Sequence, residues 1–156
     1  MSEQFEAQPS AVDSLDRFRA AQTYNFALAL DEIHHSRKES HWMWYIFPQL
    51  AGLGESALSQ HYAIKNFQEA QDFLRDPQLS DHLLQATEAL LRQPESDAHA
   101  IFSSPDDLKL HSSLTLFYLA ATDDSQRQVF QHALDKFFAG ALDEQTLQLL
   151  QKPWLN

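Results

Sequence analysis

The chain has 156 residues, 44% of them hydrophobic and 21% charged, and contains no cysteine. Its 22 acidic residues against 11 basic ones give a formal net charge of -11, a field that repels phosphate backbones and excludes nucleic acid as a partner. The missing cysteines exclude disulfides, thiolate nucleophiles and Cys-based metal sites together.

The length fits one domain with a real core. No apolar run approaches the ~20 residues that span a bilayer, and Met1 to Pro9 holds neither a basic start nor an apolar stretch. A soluble, cytoplasmic protein without a membrane partner is therefore expected, as a monomer or a weak homodimer.

With only three glycines and helical spacing nearly throughout, the pattern predicts an all-α fold of six to eight helices around one core. Residues 1–11 read as a flexible tail and 12–156 as a single helical domain. A short helix carries Leu15 and Phe18. A second, with Phe26, Leu30 and Ile33 on one stripe, ends near Arg37 and Lys38, where cations suit the helix dipole.

An aromatic segment follows. Trp42, Trp44, Tyr45 and Phe47 crowd into six residues, and Pro48, Gly52 and Gly54 come directly after. Neither helical nor strand periodicity accounts for them, so the segment is expected to be an irregular loop that packs inward or lines a cavity.

Ser56 to Tyr62 is expected to form a short helical turn, and Asn66 to cap a helix holding Phe67, Ala70 and Leu74. Asp76-Pro77 opens a helix with Leu79, Leu83, Ala86 and Leu90 on one face. Ser104-Pro105-Asp106-Asp107 repeats that start signal, and its helix turns almost wholly apolar from Leu114 to Ala121, as a central buried helix would. Asp124 or Ser125 should cap the next helix, Gly140 should follow its end, and a last short helix carries Leu147 and Leu150. Phe130, Leu134 and Phe137 are expected to be buried together, as are Leu114, Phe117 and Tyr118.

The string His41-Trp42-Met43-Trp44-Tyr45-Ile46-Phe47-Pro48-Gln49-Leu50, with Gly52-Leu53-Gly54, resembles the signature of the domain-of-unknown-function family numbered 1810. Leu15-Asp16-Arg17-Phe18, Tyr62-Ala63-Ile64, Pro105-Asp106-Asp107-Leu108-Lys109-Leu110 and Phe137-Phe138 agree in order, over about residues 13–150. Ser36 and Ser104 stand where glycine is expected. The resemblance implies a compact all-helical domain and brings no activity, cofactor or catalytic residue with it.

Three groups of residues invite chemistry. Trp42, Trp44, Tyr45 and Gln49 offer flat rings and polar edges suited to a ring-bearing ligand, although the same tryptophans suit a core. Asp106, Lys109 and Ser113 share a helix face with Leu110 and Phe117; Asp106 is a candidate base and Lys109 a candidate anion holder, or the two form an ordinary i,i+3 ion pair. Arg37 and Lys38, with His41 as a second catalytic candidate, stand beside the aromatics as a basic cluster or as plain helix-end cations.

No metal site is expected, because the eight histidines show no ligand spacing. Ser112-Ser113 lacks the Gly-x-Ser-x-Gly turn of a hydrolase. The leading expectation is a small-molecule-binding domain, either a binder of or an enzyme acting on a nucleotide-like or ADP-ribose-like ligand, its cofactor unknown. The rival is a protein-interaction domain using a tryptophan-rich surface.

Overall fold

The structure is a computed structural model that describes residues 11–156, with side chains from Ser14 onward. Nine helices occur among the described residues: α1 (Ala11–His34), α2 (Met43–Ile46), α3 (Ala57–His61), α4 (Phe67–Arg75), α5 (Pro77–Arg92), α6 (Ala98–Phe102), α7 (Asp106–Ala120), α8 (Asp124–Phe138) and α9 (Glu144–Leu150). No strand ladder accompanies them, only one isolated parallel bridge between Leu50 and Ile64. The all-α expectation holds. The expected tail lies outside the described residues except for Ala11, which is helical.

The helices differ from the expected ones in three places. The two N-terminal helices are one: the stripe Leu15, Phe18, Ala29 and Ile33 is continued through Gln22, a buried polar residue. Gln22 breaks the apolar pattern but not the helix, because its amide donates to the Tyr45 carbonyl at 2.9 Å and its oxygen meets His82 Nδ1 at 2.8 Å. The aromatic segment contains one helical turn, α2, so it is not wholly irregular. The five residues of α6 are too few to show a period in sequence.

Local signals otherwise behave as their chemistry requires. Asn66 and Asp76 accept from the backbone N–H groups of Glu69 and Leu79 at 2.9 Å each, capping α4 and α5. Asp123 rather than Asp124 or Ser125 caps α8. The start of α7 also differs: Pro105 occupies the cap position without a side-chain cap bond, and the Ser104–Pro105 peptide is cis. Asp107 instead gathers Ser104 Oγ and the Leu108 N–H, each at 2.9 Å.

Ser36, where glycine was expected, adopts φ 54° and ends the first helix early; the second left-handed serine is Ser103 (φ 60°), one place before Ser104. Ala139 closes α8 in the same left-handed region (φ 54°, ψ 30°) and is exposed, with Gly140 following at φ 77°. A Cβ is unwelcome there. Ala139→Gly should therefore raise stability by about 0.5–1 kcal/mol, read as a higher urea midpoint with an unchanged slope.

α7 runs through the middle, packed by α4, α6, α8 and α9, while α1 lies against α5 and reaches α2. Leu110, Leu114, Leu116, Phe117 and Ala120 are all buried on it, as a central helix demands. Phe117 meets Phe73 and Phe130 at ring distances of 5.1 and 6.2 Å. Phe130 and Leu134 are buried as expected, but Phe137 and Tyr118 are only half-buried. Phe137 sits in the last turn of α8, where the ammonium of Lys136 lies over its ring at 5.1 Å.

Candidate functional site

Glu32, on the last turns of α1, organises the basic and aromatic residues that follow it. One of its oxygens accepts from the backbone N–H groups of Glu39 (2.8 Å) and Ser40 (3.0 Å) and from Trp42 Nε1 (2.8 Å). The other accepts from Ser40 Oγ at 2.6 Å. Burial alone would raise the pKa of this carboxyl, but the four donated bonds outweigh it and hold the group at about 2. Sequence inspection passed over Glu32, because a single acidic residue on an amphipathic helix carries no local signal of the loop it will bind.

The hub decides what its neighbours can do. Trp42 is 1% exposed and packs against Phe47 and Phe102, so it is a core anchor and offers no face to a ligand. Lys38 is occupied: its Nζ donates to the Ser40 carbonyl at 2.6 Å, pairs with Asp106 at 2.8 Å and lies 5.1 Å from the Trp42 ring. Arg37 projects into solvent and reaches only Glu39, at 3.7 Å. The expected basic pair therefore splits into one structural lysine and one surface arginine.

Lys109 stands differently. It faces the second oxygen of Asp106 at 3.6 Å, beyond hydrogen-bond length, and lies over Trp44 at 5.6 Å. Asp106 thus bridges two lysines, each resting on one of the two neighbouring tryptophans. Lys109 lines a groove of about 380 Å³ with Gln49, Gly54, Ser112, the acidic residues Asp143 and Glu144, and Gln145. Gln49 Nε2 donates to Ser112 Oγ at 2.7 Å, and that hydroxyl donates to the Lys109 carbonyl at 3.0 Å. A chain of polar groups therefore runs down one wall. Ser113 is fully buried and its hydroxyl has no partner, and it lies outside this groove's lining.

Trp44 is half-buried, and its indole N–H is buried without a partner. The residue lines an inner cavity of about 20 Å³ together with Lys109, Gln49, Gly54 and Tyr62. It also lines an open groove of about 660 Å³ with His41, Tyr45, Tyr62, Asn25 and Leu58. Tyr45 and Tyr62 are 5.3 Å apart there, and His41 is 6.4 Å from Trp44. Burial, aided by the neighbouring Tyr62, pushes the Tyr45 hydroxyl above its ordinary pKa.

Of the expected site residues, the structure therefore brings Trp44, Gln49 and Lys109 together around one small inner cavity. His41 and Tyr45 lie on the adjoining groove. Trp42, Lys38 and Asp106 stand behind them as support.

One further cluster has the composition of a hydrolytic relay but not its geometry. Ser104 Oγ and Asp107 meet at 2.9 Å, and both approach His99 at Nδ1, at 3.4 and 3.3 Å. A relay needs the acid and the nucleophile on opposite ring nitrogens. Here one nitrogen faces both, and Asp107 serves the start of α7. Among the described residues no group of three His, Asp or Glu is placed to hold a metal ion, and no helix is long and apolar enough to cross a membrane.

Comparison with curated proteins finds no match. Among solved structures, the fold is similar to the crystal structure of the conserved hypothetical protein Rv1873 from Mycobacterium tuberculosis. The two share 39% identity with a TM-score of 0.84, over 89% of this chain and 97% of the other. The model of the family described as "Protein of unknown function (DUF1810)" matches residues 12–150, and with that match over nearly the whole chain this protein belongs to the DUF1810 family.

Proposed function

We propose that this domain binds a small anionic molecule, nucleotide-like or ADP-ribose-like, in the polar groove beside Lys109. The observation that carries the reading is the state of Lys109. Its ammonium is held near the groove by Asp106 and Trp44 without being consumed by a short hydrogen bond. In a chain of net charge -11, such a cation is a local exception, and the Gln49 amide, which gives one N–H to Ser112, has a second N–H to offer an oxygen-rich group. A groove of about 380 Å³ lies within the usual size of small-molecule sites.

In this reading Asp106 positions Lys109 and does not act as a base, since each of its oxygens faces a lysine and it lines none of the grooves. If the ligand is also a substrate, His41 is the titratable ring best placed for proton transfer, being exposed on the aromatic groove. The rival interaction-domain reading needs an exposed tryptophan-rich patch. Trp42 is buried and Trp44 half-buried, so Trp154 alone of the three tryptophans is exposed and no tryptophan-rich patch forms.

The test is Lys109→Ala, screened by thermal shift against sugar phosphates and nucleotides. Stability should change by less than about 1 kcal/mol, since the ion pair is long and partly exposed. Binding of a phosphate-bearing compound should weaken by about 1.5–3 kcal/mol, the scale of a hydrogen bond to a charged group. A variant that binds as tightly as the parent would remove Lys109 from the site.

A further inference from the structure

Three neighbouring spaces surround Trp44 and Lys109. The inner cavity shares Trp44 and Tyr62 with the aromatic groove, and Gln49, Gly54 and Lys109 with the polar groove. Trp44 and Lys109 touch, ring to ammonium. We propose that the aromatic groove is a second subsite of the same site, which takes the base of a nucleoside phosphate whose phosphate lies at Lys109. This rests on the anion-site reading above and adds the identity and placement of the other half of the ligand.

Three observations support it. The groove's lining is rich in flat rings, with His41, Trp44, Tyr45 and Tyr62 around one opening, and a planar base presents a face for each to meet. The indole N–H of Trp44 is a buried donor with no acceptor, a state that costs free energy, and a shift of the ring that opened this N–H to a base ring nitrogen or carbonyl would relieve it. Among the described residues, the cation that lies over this ring is Lys109, on the polar side, so a molecule with one apolar planar end and one anionic end suits both sides of Trp44. An aliphatic anion would leave the aromatic end unused, and an uncharged ring would leave Lys109 unused.

The two grooves share no lining residue, and the inner cavity lies between them. The inner cavity, at about 20 Å³, holds no more than a water-sized group, so a ligand spanning both sides crosses at its rim, where α3 lies. None of the five residues of α3 is buried, and Leu58 and Ser59 supply its contacts to the aromatic groove and the inner cavity. The crossing therefore requires displacement of a peripheral turn and not of the core.

Isothermal titration of the full chain with AMP, adenosine and ribose 5-phosphate separates the two halves. The parent should bind AMP about tenfold or more tightly than ribose 5-phosphate, the scale of one stacked base. Trp44→Phe keeps a ring but removes the N–H, and His41→Ala changes an exposed residue, so at least the second leaves the fold intact. Both should weaken AMP and adenosine several-fold and leave ribose 5-phosphate unchanged. Lys109→Ala should weaken AMP and ribose 5-phosphate and spare adenosine.

Equal affinities for AMP and ribose 5-phosphate, indifferent to Trp44→Phe and His41→Ala, would overturn the base subsite and leave the anion site standing. Insensitivity of both phosphates to Lys109→Ala, or no binding by any of the three, would overturn both.

Discussion

Glu32→Ala should destabilise the protein by about 3–5 kcal/mol, the range for stripping a buried, fully bonded charged group from its partners. The substitution leaves two backbone N–H groups, the Ser40 hydroxyl and the Trp42 indole without an acceptor, and each buried orphan carries its own penalty. Glu32→Gln should recover only part of the loss, because its amide oxygen can take the three donors on one side but without the charge that strengthens those bonds. A urea midpoint within about 1 kcal/mol of the parent would show that the segment from Glu39 to Trp42 is held by its ring packing instead.

The same hub fixes a pH dependence. Glu32 has a folded pKa of about 2 against an ordinary value of 4.5, so its contribution is fully present above pH 4.5 and is lost as pH falls toward 2. The difference corresponds to about 3 kcal/mol. Glu69, bonded by Arg17, Ser14 and the Lys65 N–H, and Asp76, bonded by Arg19, are also shifted downward against the effect of their burial. They add acid sensitivity in the same direction. The loss of stability on acidification should be shallower in Glu32→Gln than in the parent.

Phe117→Ala should cost about 3–5 kcal/mol, as for a fully buried aromatic whose neighbours relax only in part. Phe117 sits on the central helix between Phe73 and Phe130, and those rings belong to α4 and α8. The cavity would therefore open at the junction of three helices. Phe137→Ala, at a half-buried position, should cost clearly less. Equal costs at the two positions would contradict the placement of α7 at the centre.

Much of the fold is legible in the sequence because it is written in short-range chemistry. Asn66, Asp76-Pro77 and the apolar run of α7 each declare a helix within a few residues. The failures are of two kinds. Gln22 looks like a break in an apolar stripe, and only the Tyr45 carbonyl and His82, distant in sequence, show that a polar group belongs inside. Asp123, Asp124 and Ser125 are all competent caps, so propensity alone could not select among them.

The candidate site was legible in part. Its aromatic density marked the segment from His41 to Phe47, but two tryptophans two residues apart turn out to have opposite surroundings. Trp42 is bonded to Glu32 and enclosed, whereas Trp44 has a free N–H and lines two spaces. Lys38 and Lys109 differ in the same way, one consumed by short contacts and the other not. Which member of each pair is available depends on tertiary partners that lie outside any local pattern.

The most direct measurement of the proposed site is an NMR titration with AMP that follows the three tryptophan indole N–H signals and the backbone amides. The Trp44 indole signal should move together with the amides of Gln49, Lys109 and Ser112, while the Trp42 indole, already bonded to Glu32, should stay in place. Shifts confined to other surfaces, or a Trp44 signal unmoved at saturating AMP, would contradict the proposed site.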